Sequence, residues 1–309
     1  MNPFEDSRAR RIPTWVWHAL RLLGLPFVIY VIIKVDWTDV YSMYRRLGLG
    51  TTLGMLAGLV GVFLVKVRRW ADFLRFQGIP RPWWDVFGGF AEAYFYGFVT
   101  PARLGEAYRF RHLTEWGLDA RRAMGNLLME RGMDVCLLGN LALLSLGLHW
   151  TYPRPTGAVY GFVAVSAVGG GLWLLFFRLR FARSWITQRD GTLGPESILF
   201  YCVVQTVIAW GLLYLIVFSV RGVLGIEMGP VVTLFSFVLA SLVTAIPISV
   251  AGFGTKELAM IHFLGQWGYT PEQAVAFSLI FSVTYVLNLL FSAVIWFAIL
   301  ACYRVKRSR

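Results

Sequence analysis

Residues 231–257 read VVTLFSFVLASLVTAIPISVAGFGTKE. The run from Val231 to Ile246 carries no charge. At about 16 residues it falls short of the ~20 that a helix needs to cross a hydrocarbon core about 30 Å thick. It then meets Pro247, Ser249, Gly252 and Gly254, with Lys256 and Glu257 directly behind them. Proline and glycine here free backbone N–H and C=O groups that lipid cannot pair, so the break is tolerated at depth only where protein or a water-filled cavity satisfies it. A second apolar stretch continues to Phe263. If Val231–Trp267 enters and leaves by one face, the rest of the topology follows; if Val231–Ile246 is a full crossing, it does not.

The chain around this segment has the same character. Of 309 residues, 57% are hydrophobic and only 15% charged, where a soluble domain carries about a quarter charged. Apolar runs at Trp15–Lys34, Thr51–Val65, Ala123–Leu148, Gly157–Phe177, Ile198–Val220 and Ala274–Ala301 are the candidate full spans of an all-α integral membrane protein. The 13 Trp and 13 Tyr suit anchoring at two membrane interfaces. A net charge of +12 on a soluble protein would raise nucleic-acid binding. Here Arg and Lys fall in short segments between apolar runs, which assigns them to topology and anionic headgroups and argues against nucleic acid. Cys136, Cys202 and Cys302 lie inside apolar segments without close spacing, so they read as small buried hydrophobes. The four histidines are equally scattered. No metal, cofactor or catalytic set is expected, and Met1–Pro13 is polar and basic without signal-peptide character.

Charge sets the orientation. Lys66, Arg68, Arg69, Arg75 and Arg81 against Asp72 and Asp85 read as a basic, cytoplasmic loop after the second span. The next apolar stretch, Val86–Pro101, is again about 16 residues, too short to cross, and Ala102–Arg122 behind it is basic too. Basic flanks on both sides predict a re-entrant hairpin on the inner face. Arg178, Arg180, Arg183 and Arg189 mark another inner loop, and Arg304, Lys306, Arg307 and Arg309 put the C-terminus inside with the N-terminus. Parity then requires Val231–Trp267 to be a hairpin on the outer face. The expected fold is about six full transmembrane helices plus two oppositely oriented re-entrant hairpins, in one polytopic domain over residues 1–309. Its halves, about 15–150 and 157–303, have the same element order and opposite orientation, the pattern of an inverted-repeat transporter.

The breaks and the intramembrane ions are the candidate site. Pro101, Arg103, Gly105, Glu106 and Arg109 form the first break; Pro247, Ser249, Gly252, Gly254, Lys256 and Glu257 form the second. A helix that resumes after each glycine would aim free N–H groups, with Arg103 or Lys256 beside them, at a phosphate or carboxylate. The plain alternative is a kinked helix with snorkelling charges. Glu130, Arg131 and Asp134 lie inside the third span, and Glu130 and Asp134 share a face at i,i+4. Three such charges must pair or line a polar cavity: either an internal ion-pair cluster, or a headgroup ligand in Arg131 with the acids orienting it or carrying protons. Asn288 and Ser292 in the last span read as helix-packing residues.

Pro101-x-x-x-Gly105-Glu106 with Arg109, then Glu130-Arg131-x-x-Asp134, then Pro247-x-Ser249-x-x-Gly252-x-Gly254-x-x-Glu257 resemble the signature blocks of the lysylphosphatidylglycerol synthase transmembrane family, the flippase-like domain that opens MprF-type proteins and also stands alone. Ala102 and Ala251 stand where many relatives have glycine. The resemblance implies a prokaryotic cytoplasmic-membrane protein that moves a lipid between leaflets, in the stand-alone form without the synthase domain. It implies an anionic or phosphate-bearing lipid as substrate, with Arg103, Arg109, Arg131 and Lys256 on its phosphate and Glu106 and Glu257 orienting them or coupling transport to protons. The expected protein is not an enzyme; a homo-oligomer or a lipid-biosynthetic partner enzyme is compatible with this reading. The rival readings are a membrane-embedded enzyme, with Glu130 and Asp134 as acid and base, and an accessory subunit of a lipid-modifying complex.

Overall fold

A computed structural model describes residues 25–151, 195–245 and 253–307. Its helices are α1 (Leu25–Lys34), α2 (Trp37–Tyr44), α3 (Leu49–Phe76), α4 (Trp83–Val99), a 3₁₀ helix (Pro101–Tyr108), α5 (Arg109–Glu115), α6 (Ala120–Thr151), α7 (Pro195–Val223), α8 (Pro230–Ala245), α9 (Thr255–Gly265) and α10 (Pro271–Arg307). There is no strand among the described residues. Leu49–Phe76, Phe200–Val223 and Pro271–Ile299 are long and apolar enough to cross a membrane. α6, at 32 residues, has the length but carries five charged residues, Arg121, Arg122, Glu130, Arg131 and Asp134, in its first half. The expected span Gly157–Phe177, the part of Trp15–Lys34 before Leu25, and the break residues Pro247, Ser249 and Gly252 lie outside the described residues.

The second span departs most from expectation. The helix does not stop at Val65 before a basic loop; it runs to Phe76. Lys66, Arg68, Arg69 and Arg75 are therefore on α3. The physical reason is the absence of any breaker between Gly61 and Gly78. Gly78, at φ +76°, supplies the left-handed turn that ends α3, with the Ile79 N–H returning to the Leu74 carbonyl at 3.0 Å. The buried face of α3 continues without interruption from Leu59, Val62 and Phe63 into Lys66, Arg69, Trp70 and Phe73.

α3 and α7 pack antiparallel at the centre. A Cβ on Gly58 would lie 2.8 Å from Ile216 and one on Gly61 3.6 Å from Leu212, while further along α3 Arg69 reaches back to Thr206. Around this pair the chain folds twice on itself. α4 and the following 3₁₀ helix and α5 run antiparallel: a Cβ on Gly97 would lie 2.5 Å from Glu106, and one on Gly89 3.3 Å from His112. The Glu92 carboxylate sits 2.8 Å from His112 Nε2 across the same pair. α8 and α9 also run antiparallel, with the Phe235 ring 5.9 Å from Phe263 and 5.0 Å from Trp267. The packing is reciprocal. α4 lies against α10, where the Tyr94 hydroxyl donates to Asn288 at 3.0 Å, and α8 lies against α6. α5 also touches α6, and α9 touches α10.

The first break also differs in detail from expectation. The segment after Thr100 is not a loop with a helix resuming beyond Gly105. A 3₁₀ helix starts at Pro101 and contains Gly105. Proline suits a first helical position, where its missing N–H leaves nothing unpaired. Gly105 is there for space: a Cβ would lie 2.2 Å from the Tyr96 carbonyl oxygen and 2.3 Å from its carbon. Its N–H donates to Thr100 Oγ1 at 2.6 Å.

Gly105→Ala should therefore force the two arms apart. Overpacking of this kind costs about 1–3 kcal/mol. The expected result is a clearly lower midpoint in a detergent-solubilised thermal melt. Gly139→Ala, where a Cβ meets nothing within 4 Å, should leave the midpoint where it is.

Candidate functional site

The 3₁₀ helix and α5, together with α3, α6 and α7, converge on a cluster of buried ions. At its centre is Arg69, 1% exposed. Its Nη1 donates to Asp134 at 2.9 Å and to Thr206 Oγ1 at 2.7 Å. Its Nη2 donates to Glu130 at 2.8 Å and to the other Asp134 oxygen at 3.3 Å. Thr206 donates its own hydroxyl to the Cys202 carbonyl at 2.8 Å, and Trp210 Nε1 donates to Asp134 at 3.1 Å. Arg109, also buried, pairs with Glu130 and, at 3.5 Å, with Glu106. Its guanidinium lies over the Trp70 and Phe90 rings, 5.7 and 5.1 Å from their centroids, where the ring quadrupoles add attraction. Lys66 lies over Trp210 at 5.9 Å. Below the cluster, Trp70 Nε1 donates to Asn126 at 3.2 Å and Asn126 to Gln77 at 2.7 Å.

The pairing differs from the sequence expectation in one respect. Glu130 and Asp134 do share a face, but that face meets Arg69 and Arg109 rather than Arg131. A helix turns about 100° per residue, which carries Arg131 off the acid face. Arg131 pairs with Glu106 instead, and its side chain is 41% exposed. The structure thus gathers Glu106, Arg109, Glu130, Arg131 and Asp134 in one place. Arg103 is on the 3₁₀ helix, and its side chain lies outside the described ones.

Lys256 and Glu257 lie apart from that cluster, at the start of α9. Gly254, at φ +80°, turns the chain into the helix, as expected of a break glycine. Its N–H is not left for a ligand, because Glu257 Oε2 accepts it at 2.8 Å. Glu257 is the third helical residue, so its carboxylate reaches back to the cap as in half a capping box. Its other oxygen accepts from Ser278 at 2.9 Å and lies 3.4 Å from Lys256 Nζ. Lys256 Nζ donates to Ser282 at 2.9 Å and is flanked by the Phe253 and Phe281 rings at 5.5 and 5.8 Å. Of the carried-over pattern, the carboxylate acts on its own helix terminus first.

Arg69, Thr206 and Trp210 are the site residues that sequence reading missed. Arg69 was hidden among the charges assigned to a loop. The signal that could have exposed it is the helical spacing of Val62, Lys66, Arg69 and Phe73 on an unbroken run. Thr206 and Trp210 fall at i,i+4 on the fifth span and looked like any span residue. Among the described residues no group of His, Cys, Asp and Glu is arranged to hold a metal ion.

These features define a helical membrane protein with an ionic cluster buried in its core. The chain belongs to the family described as the lysylphosphatidylglycerol synthase TM region, whose sequence profile matches residues 18–295. That membership connects it with lipid handling at a membrane. No curated protein sequence matches the chain.

Glu257→Ala should remove the helix cap and leave the Lys256 ammonium, 1% exposed, without its carboxylate. Breaking a buried ion pair from one side costs ~3–5 kcal/mol. The expected outcome is a large drop in the thermal midpoint in detergent. Glu257→Ala with Lys256→Met should recover much of it, because no charge is then left unpaired.

Proposed function

We propose that this protein translocates an anionic or phosphate-bearing lipid between leaflets of a prokaryotic cytoplasmic membrane, without catalysing a reaction. The observation that carries the reading is the ionic cluster around Arg69 and Arg109. Ions this far inside a helical membrane protein are costly, and they mark substrate or ion pathways. Arg69, Arg109 and Arg131 pair there with Glu106, Glu130 and Asp134, and Lys66 lies over Trp210 beside them. Arg69 Nε is a buried donor with no acceptor among the described residues, a rarity in a settled core.

In this reading the two antiparallel pairs, α4 with the 3₁₀ helix and α5, and α8 with α9, are re-entrant hairpins from opposite faces. The halves form an inverted repeat, with both termini cytoplasmic. The reciprocal packing of α4 on α10 and α8 on α6 supports this, since exchange of the halves reproduces it. The lipid phosphate engages Arg109, Arg131 and Arg103 from the inner side, and Lys256 serves the outer hairpin. Rocking of one half against the other opens each hairpin in turn, while acyl chains stay in the bilayer.

Purified protein in liposomes with fluorescent phospholipid in both leaflets tests this. Dithionite quenches only the outer leaflet. The expected result is a quenched fraction clearly above that of protein-free vesicles, returning to that level in Arg131→Ala. A quenched fraction equal to protein-free vesicles across phosphatidylglycerol and other phosphate-bearing headgroups contradicts the reading. Loss of a lipid product in cells carrying Arg131→Ala, with lipid movement normal, would point to an enzyme or an accessory subunit instead.

A further inference from the structure

Arg131 differs from the other charges of the cluster in where it points. It falls close in line on α6 with Met124, Leu128 and Val135, which are 43, 51 and 62% exposed. On a membrane protein this apolar stripe is a surface for acyl chains. Ionisable residues in such helices almost always face the bundle interior, yet Arg131 is 41% exposed on the stripe. It lies roughly 14 Å along the axis from Arg122 at 1.5 Å per residue. What holds it there is Glu106, reaching across from the 3₁₀ helix. Glu106 has a second cation in reach, Arg109 at 3.5 Å.

The geometry points to the seam between α6 and the 3₁₀ helix as a lateral docking site for one anionic phospholipid, with Glu106 standing in for the lipid phosphate on Arg131. This rests on the reading of the protein as a lipid translocator. A phosphate entering from the bilayer replaces Glu106 on Arg131, and its acyl chains lie along Met124, Leu128 and Val135. Glu106 is left with Arg109, so no carboxylate loses its last partner. Arg131, 41% exposed, presents its positive charge to a headgroup that brings a negative one. A zwitterionic headgroup brings none and competes poorly with Glu106. The internal carboxylate is therefore the selectivity device: it sets the charge that an entering lipid must bring.

The test places a tryptophan reporter on the stripe, Leu128→Trp, and in a second protein on the outward face of α10, Leu290→Trp, where the side chain is 57% exposed. Each is reconstituted with equal fractions of brominated phosphatidylglycerol or brominated phosphatidylcholine, and quenching is corrected for the parent protein. The expected result is at least two-fold stronger quenching by phosphatidylglycerol at Leu128→Trp and no headgroup preference at Leu290→Trp. Adding Glu106→Gln, which removes the internal competitor, should raise quenching by both lipids and narrow the preference between them, and adding Arg131→Gln should remove it. Equal quenching by the two lipids at Leu128→Trp overturns the proposal without any change to the ion pair. An unchanged preference in Glu106→Gln overturns the role given to Glu106. Quenching reads equilibrium binding, not movement. Equal quenching beside normal translocation discards the docking site alone, whereas selective quenching without translocation keeps the site and discards the translocator.

Discussion

Arg69 cannot be discharged, and it is buried at the meeting point of three helices. An isolated guanidinium out of water would cost many kcal/mol, so the surrounding structure has to supply two carboxylates and a hydroxyl in fixed places. That requirement ties α3 to α6 through Glu130 and Asp134 and to α7 through Thr206. It also recruits Arg109, because two carboxylates on one helix face need a second cation. Arg109 in turn fixes where the 3₁₀ helix and α5 lie. The fold of the first hairpin is thus set from inside by charge neutralisation, and from outside by the close approach that Gly97 and Gly105 permit.

The second hairpin solves the same problem with less. Lys256 has one carboxylate and one serine hydroxyl, and that carboxylate also caps α9. The partners of this pair on α10 are the hydroxyls of Ser278 and Ser282, whereas α6 offers Glu130 and Asp134 to the arginines. The two hairpins therefore differ in charge while resembling each other in packing. That asymmetry is a physical reason for the proposed lipid to find its phosphate partners first around Arg109 and Arg131.

Much of this was legible in the sequence, and the failures share a cause. Apolar length located three spans, in Leu49–Phe76, Phe200–Val223 and Pro271–Ile299, and the short run ending at Pro101 marked a place where the chain doubles back on itself. The i,i+4 spacing of Glu130 and Asp134 gave their common face. What sequence could not supply was the partner. Arg69 and Arg131 are both arginines beside other charges, yet one is sealed in the core and the other faces outward. The difference lies in which helix faces meet. The loop assignment of Lys66–Arg75 failed because charge was taken to end a span, when only a breaker such as Gly78 ends a helix. The N–H of Gly254 itself is taken for a local reason, the position of Glu257 one turn into its own helix.

The most direct measurement is a double-mutant cycle on the Arg69–Asp134 pair, with Arg69→Met, Asp134→Leu and their combination compared by equilibrium unfolding in detergent. If the cluster is the constraint that organises the bundle, each single change should be strongly destabilising. The double should be more stable than either single, with a coupling on the order of 2–3 kcal/mol. Losses that simply add, to within about 0.5 kcal/mol, would contradict the account, because the two side chains would then be neighbours without being partners.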